Sequence, residues 1–254
     1  MQTDPCGGTD PRKGASPQVR EARRKICAVV PVKESSKAKQ RLAGTLSRTQ
    51  RQQLALAMLE DVLAALASTP ELASILVVTL DREAADIAAR YGAEVASEAA
   101  GDGHTAAVAA AALRLDGNGL DMLTLPADIP LVQSQDIQHL LAVHADAVGR
   151  RGGRGFSIAP SRDERGSNAV LCSPAGAVPL RFGADSFFPH LAAARACGIE
   201  PAVARLPRVA LDIDAADDVA LLLATPARSR THALLGHWQR HGRDAITAFG
   251  ATPA

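Results

Sequence analysis

The sequence predicts an α/β protein built on one mostly parallel sheet with helices on both faces. Short apolar runs alternate with longer segments of helical period along most of the chain, the pattern of repeated β-α-β units. Acidic residues follow several of the apolar runs, at the carboxyl edge where open α/β sheets gather ligands. A length of 254 residues, 47% of them hydrophobic, is enough to bury one large core.

The first strand is ICAVV at 26–30. From Ser47 to about Ser68, Leu54, Met58, Leu59, Val62, Leu63 and Leu66 recur on one helical face. ILVVT at 75–79 is the next strand, Asp81 caps a short helix that Gly92 ends, and AEVAS at 93–97 is a short strand. An Ala-rich helix runs from about His104 to Leu115. In DMLTLPADIPL a strand ends at Pro126 and leaves Asp128 just beyond its carboxyl end. A helix over 134–147 precedes two strands, FSIAP and NAVLC, around a polar loop. A helix near 185–197 leads to PAVARLP, and LDIDAADDVALLL at 211–223 holds the last strand-like run.

Three segments lie outside this pattern. Residues 1–25 are rich in Gly, Pro and charge and read as a disordered leader, RRGGRG at 150–155 as a flexible connection. The domain then spans 26–224. The tail, 225–254, is basic and contains Trp238 among scattered apolar residues, as a docked helix would.

Charge narrows the function. With 28 basic against 27 acidic residues there is no field to hold a polyanion, so nucleic acid is not an expected partner. No run of eighteen apolar residues offers a membrane span, and the N-terminal segment has no apolar core of signal-peptide length. Cysteines 6, 27, 172 and 197 form no C-x-x-C pair, as in a protein of the reducing cytoplasm.

AVVPVKESSKAKQRLAG, Ala28 to Gly44, sets Lys33, Lys37, Lys39 and Arg41 directly after the first strand. Cations at that edge favour phosphate, although the segment has neither G-x-G-x-x-G nor G-x-x-x-x-G-K-[ST], and a solvated basic loop is the competing account. Asp128, Asp212 and Asp214 follow separate strand-like segments whose carboxyl ends would converge. A strand period of two puts Asp212 and Asp214 on one side, where a cation such as Mg²⁺ would relieve their repulsion. Helix capping by Asp214 or Asp217 explains one of these carboxylates but not all.

These residues resemble the CofC/FbiD family of nucleotidyltransferases over roughly 26–224. PVKESSKAKQRL matches the family's P-V-K-x-x-x-x-A-K-x-R-L, and LPADIPL, GSNAVL, RFGADSF and LDIDAADD follow in the family's order. The resemblance implies a GT-A-like, Rossmann-related fold and transfer of GMP from GTP to a three-carbon phospho-acid. Phosphoenolpyruvate, 2-phospholactate and 3-phosphoglycerate are the candidate acceptors. Pyrophosphate leaves, and the product feeds coenzyme F420 synthesis.

By the same resemblance Asp128, Asp212 and Asp214 hold Mg²⁺ and, with Lys33, are the catalytic candidates. Lys33, Lys39 and Arg41 hold triphosphate; Asn168, Arg181, Gly183 and Ser186 receive the acid. A downstream deazaflavin transferase and a second copy of the chain are compatible partners. Where relatives carry G-x-L-N-x-A-L, this chain has GDGHTAAVAAAAL, which leaves Gly103, His104 and Thr105 at a helix start as candidates to approach the nucleotide. Two other readings stay open. One is a sugar-phosphate or molybdenum-cofactor nucleotidyltransferase, whose glycine-rich first loop is missing here; the other is a GTP-binding regulatory module without turnover.

Overall fold

The computed structural model of the protein describes residues 24–149, 153–183 and 185–241. The leader, apart from Arg24 and Lys25, and the first half of the 150–155 connection fall outside those residues. Arg24 and Lys25 already belong to the fold: Arg24 Nε donates to the Gly119 carbonyl at 3.1 Å, and the Lys25 carbonyl accepts from Asp121 N at 2.9 Å.

Among the described residues seven strands form one sheet: β1 Ile26–Pro31, β2 Leu72–Val78, β3 Glu94–Ala96, β4 Asp121–Thr124, β5 Gly155–Pro160, β6 Ser167–Ser173 and β7 Ala202–Val203. Their order is β3-β2-β1-β4-β6-β5-β7. The first four are parallel. β6 runs against both β4 and β5, because the polar loop at 161–166 makes β5 and β6 a hairpin, and β7 pairs in parallel with β5. Among the described residues eight helices complete the fold: α1 Arg48–Ala67, α2 Arg82–Arg90, α3 His104–Gly117, α4 Ser134–Gly149, α5 Phe187–Ala196, α6 Pro207–Ala210, α7 Ala216–Ala224 and α8 Arg230–His241.

Alternation along β1 decides which helices cover which face. Ala28 and Val30 point to one side, among Leu59, Val62, Leu63 and Leu66 of α1 and Ile137 and Leu140 of α4. Cys27 and Val29 point to the other, against Val108, Ala111 and Leu115 of α3. The hairpin continues the sheet, and Phe156, Ile158, Val170 and Cys172 pack on Phe187 and Leu191 of α5. Helix α1 starts at the predicted place because Ser47 Oγ accepts from Gln50 N and Gln50 Oε1 accepts from Ser47 N, a reciprocal cap. Asp81 caps α2 as expected, accepting from Ala84 N at 3.1 Å.

A further apolar cluster lies beside the main core, beyond the carboxyl edge of the sheet. Leu42 and Leu46 from the basic loop, Leu131 from the segment after β4, and Leu211 and Ile213 meet there with Leu54 and Met58 of α1. Val219 and Leu222 of α7 and Leu235 and Trp238 of α8 close it.

This cluster corrects one sequence expectation. LDID is no sheet strand; residues 211–214 are extended but unpaired in any ladder, held by Ile213 N donating to the Asp128 carbonyl at 3.0 Å. Period-two patterning cannot tell a strand from an extended segment pinned by its apolar side chains.

The tail's partner, invisible in sequence, is α1. Asp61 lies on that helix, and its Oδ1 accepts from Arg230 N at 2.8 Å while Oδ2 accepts from Thr231 N at 3.0 Å and Thr231 Oγ at 2.6 Å. A carboxylate from one helix therefore caps the start of another and complements its dipole. Asp61→Ala should cost about 1–2 kcal/mol, lowering the melting temperature by a few degrees, and should speed proteolysis at residues 225–241. Unchanged melting and cleavage would show that Trp238 and Leu235 hold the helix without the cap.

Candidate active site

The basic loop leaves β1 at Pro31 and makes two single 3₁₀ turns, Ser35–Lys37 and Gln40–Leu42. Its near end is tied down by Asp81, whose Oδ2 accepts from Ser35 N at 2.7 Å and Ser35 Oγ at 2.5 Å. Burial would raise the Asp81 carboxyl, but these bonds and those from the α2 backbone hold it below its ordinary range. Its far end is tied down by Leu42 and Leu46 in the apolar cluster. The four cations consequently face different ways. Lys33 lines the cleft, whereas Lys37 is exposed and paired with Glu34 at 2.6 Å. Arg41 is exposed, 3.9 Å from Asp214.

Lys39 is the exception in this loop. Its side chain is only 8% exposed, and Nζ donates to Asp128 Oδ2 at 2.6 Å and to Asp214 Oδ1 at 2.8 Å. Burial alone would lower its pKa; the two carboxylates outweigh burial and hold it above the ordinary lysine value. The same pairing holds Asp214 below the usual carboxylate range against its own burial. Lys39 was expected on triphosphate, and here it bridges two of the candidate metal carboxylates.

Asp212 is the third carboxylate. Leu211 and Ile213 turn into the apolar cluster, so the extended backbone between them turns Asp212 and Asp214 the other way, as the period of two requires. Burial raises the Asp212 carboxyl, and the nearby Asp128 and Asp214 raise it further against a hydrogen bond from Asn168. The helix cap anticipated from Asp214 or Asp217 is made by Asp218 instead, whose Oδ2 accepts from Asp214 N at 3.1 Å and Ala215 N at 2.9 Å. Asp214 is left to the site.

Among the described residues, no three His, Cys, Asp or Glu side chains form a group that could hold a metal ion as the side chains now stand. The donor set still suits a hard divalent cation: two carboxylate oxygens from separate loops converge on one positive centre, with a third, partly buried carboxylate beside them.

A cleft of about 350 Å³ opens beside these carboxylates, lined by Lys33, Asp102, Gly103, His104, Thr105, Phe182 and Gly183. Gly103, at φ +97°, bends the chain into α3, a conformation that favours glycine. Thr105 Oγ accepts from Phe182 N at 3.0 Å, clamping the start of α3 to the opposite wall. The His104 and Phe182 rings lie 4.4 Å apart. Burial, helped by Lys33 and opposed by Asp128, drops the His104 pKa to about 4, so the ring is neutral near pH 7.

The predicted acid-binding residues separate into two groups. Gly183 lines the cleft and Arg181 is exposed beside it. Asn168 and Ser186 are buried and engaged: Asn168 Nδ2 donates to the Val209 carbonyl at 3.0 Å and Asp212 Oδ1 at 3.1 Å, and Ser186 Oγ donates to Ser167 Oγ at 3.2 Å. Asn168 thereby holds Asp212 in place. Sequence reasoning missed Phe182, Asp102 and His190. Phe182 sits inside the quoted RFG, where a lone aromatic between Arg and Gly was the available signal.

The fold places the protein in a class. Among solved structures it is similar to a Desulfovibrio desulfuricans protein described as a nucleotide-diphospho-sugar transferase, with TM-score 0.67 at 19% identity, covering 85% of this chain and 96% of that one. It is also similar to a 4-diphosphocytidyl-2C-methyl-D-erythritol synthase, with TM-score 0.53 at 15% identity over 79% and 98% of the two chains. The fold is that of the GT-A-like nucleotidyltransferases.

Sequence comparison narrows the class. Residues 26–235 match the family described as guanylyl transferase CofC like. The phosphoenolpyruvate guanylyltransferase of Roseiflexus castenholzii is 37% identical over 226 residues, 89% of this chain and 98% of that protein. The 3-phospho-D-glycerate guanylyltransferase of Colwellia psychrerythraea is 34% identical, over 81% and 96% of the two chains. The 2-phospho-L-lactate guanylyltransferase of Methanothermobacter thermautotrophicus is 33% identical, over 77% and 82%. The chain belongs to the CofC guanylyltransferase family and is a nucleotidyltransferase.

His190 supports the cleft wall from behind. Its Nε2 accepts from Arg181 N at 2.9 Å, Nδ1 meets Ser167 Oγ at 2.9 Å, and its ring packs edge-on to Phe182. The accepting Nε2 requires the neutral ring, and burial lowers the pKa from 6.5 to about 4. Between those values the folded protein binds fewer protons than the unfolded chain. The fold therefore loses stability progressively as pH falls from 6.5 to about 4, because the unfolded chain takes up a proton that buried His190 does not. His190→Gln, which keeps an acceptor, should flatten part of the fall in melting temperature across this window; parallel curves would refute the assignment.

Proposed function

We propose that the protein transfers GMP from GTP to the phosphate of a small three-carbon phospho-acid and releases pyrophosphate. The observation that supports this reading is a cleft lined by Lys33 and the start of α3, together with a cluster of Asp128, Asp212 and Asp214 gathered around Lys39. The acceptor phosphate is already ionised near neutral pH, so the reaction needs no strong base. Neutral His104 suits a wall or hydrogen-bonding role. Lys33 and Arg41 receive the triphosphate, aligning it for in-line attack on the α-phosphorus and stabilising the charge that develops on departing pyrophosphate. The first backbone N–H groups of α3 face the same cleft and favour an anion there.

Asp128, Asp212 and Asp214 would hold Mg²⁺, which when bound supplies charge neutralisation between the reacting phosphates. Gly183 and the backbone around Arg181 are placed to receive the acid, with Asn168 acting through Asp212. Phosphoenolpyruvate is the first acceptor to test, because a relative covered over 98% of its length carries that name. On this reading the product joins GMP to the acid's phosphate through a phosphoanhydride, an activated bond suited to coupling to a deazaflavin acceptor in coenzyme F420 synthesis. The buried, unpaired thiols of Cys27 and Cys172 fit a reducing cytoplasm, and no helix among the described residues is long and apolar enough to cross a membrane.

Purified protein should release pyrophosphate from GTP only with Mg²⁺ and phosphoenolpyruvate, 2-phospholactate or 3-phosphoglycerate present. Coupling to a deazaflavin acceptor and its transferase traps an unstable product. Absence of coupled product with all three acids would end this reading, and GTP binding without turnover would favour a regulatory module.

Side-chain replacements test the assignments within the site. Lys33→Met should cost roughly ten- to a hundredfold in turnover or GTP affinity, the loss of one charge-assisted bond. Lys37→Met should change little because Lys37 points to solvent. Asp128→Asn and Asp212→Asn should lose most activity while remaining folded. A defect confined to Lys37→Met, or full activity of both aspartate variants at limiting Mg²⁺, would remove these roles.

A further inference from the structure

The Lys39 ammonium stands where a divalent cation would have to stand. A metal bound by Asp128 Oδ2 and Asp214 Oδ1 needs the two oxygens that Nζ contacts at 2.6 and 2.8 Å. Mg²⁺ takes its oxygen ligands at about 2.0–2.1 Å, so ammonium and metal cannot share this point, and their like charges repel. The lysine side chain is 8% exposed, which leaves its ion pairs little screened by salt.

Its backbone is also unusual. Lys39 sits at φ 52°, ψ 45°, in the left-handed region, between the two 3₁₀ turns. A lysine in that conformation costs free energy and persists where its surroundings over-determine it; here two carboxylates and the flanking anchors, Ser35 on Asp81 and Leu42 in the apolar cluster, do so. Both turns stay anchored if Nζ lets go. The lysine can then turn its charge toward the cleft that Lys33 already lines.

We propose that Lys39 is an exchangeable cation: it pairs with Asp128 and Asp214 before nucleotide binds and yields their oxygens to a divalent metal when nucleotide phosphate arrives to receive its ammonium. The consequence is coupled entry. Free metal must displace an ion-paired lysine and leave its charge toward the cleft that Lys33 lines, whereas phosphate supplies a partner for both cations. By linkage, whatever factor nucleotide adds to metal affinity, metal adds to nucleotide affinity. Lys39 then offsets part of the carboxylate charge and keeps Asp128 and Asp214 together before substrate binds. This inference rests on the reading of Asp128, Asp212 and Asp214 as metal ligands.

The test is Mn²⁺ binding to the full-length protein without nucleotide, followed by the electron paramagnetic resonance signal of free Mn²⁺. Lys39→Met should bind Mn²⁺ about tenfold or more tightly than wild type, the worth of at least one charge-assisted contact no longer competing. Lys39→Arg, which keeps the charge, should stay near wild type. In chelator Lys39→Met should melt below wild type and be raised more by Mn²⁺; Lys39→Gln gives the same comparison if the methionine variant does not fold. Equal or weaker Mn²⁺ binding by the uncharged variants, with Asp128→Asn still abolishing it, overturns the exchange and keeps the metal site. No Mn²⁺ binding by any variant, even with GTP, overturns the metal assignment and the exchange together.

Discussion

The apolar cluster of Leu42, Leu46, Leu131, Leu211 and Ile213 is the constraint on which the site depends. Three loops from distant parts of the chain carry charges that would not assemble unaided, since Asp128, Asp212 and Asp214 repel one another. Each loop sinks leucine or isoleucine into one shared core, supported by α1, α7 and α8, and these anchors fix the backbone from which Lys39, Asp128, Asp212 and Asp214 project. Burial of about five large aliphatic side chains, at roughly 1.5–3 kcal/mol each, is ample to outweigh carboxylate repulsion that Lys39 already reduces.

This arrangement divides labour between the two sides of the site. The carboxylate side is built on the apolar cluster and is stiffened by polar contacts: Asn168 on Asp212, Asp218 on the backbone of 214–215, and Ile213 N on the Asp128 carbonyl. The cleft side is built on aromatic and imidazole rings, His104, Phe182 and His190, tied to α3 through Thr105. The first side presents fixed negative charge to cations. The second offers a neutral, partly apolar wall with helix N–H groups beside it, suited to a base, sugar or small acid.

Much of this was legible in sequence because periodicity reports burial directly. Leu54, Met58, Leu59, Val62, Leu63 and Leu66 form the buried stripe of α1 as their spacing required, and Asp128 lies just past β4 because Pro126 ends the strand. Other features were not legible because they join residues far apart in the chain. Asp61 capping a helix 169 residues later, or His190 accepting from Arg181 N, has no local signature. LDID has the period of a strand, yet only its neighbours decide that it lies outside the sheet.

The sequence by itself determined the α/β class, the helix covering β1, the ordered motifs of the CofC family and the chemical types at the site: lysines, hard oxygen donors and a glycine at a helix start. Those follow from local propensity, burial period and side-chain chemistry, all carried within short windows. Only the tertiary structure decided what each charge faces. Four cations within nine residues of one loop look alike in sequence, but Lys33 lines the cleft, Lys37 pairs with Glu34 in solvent, Arg41 lies at the rim and Lys39 is buried between two carboxylates. The reason is geometric: two single turns and two anchors set the direction of each side chain, and electrostatic energy depends on distances that the order of residues does not contain.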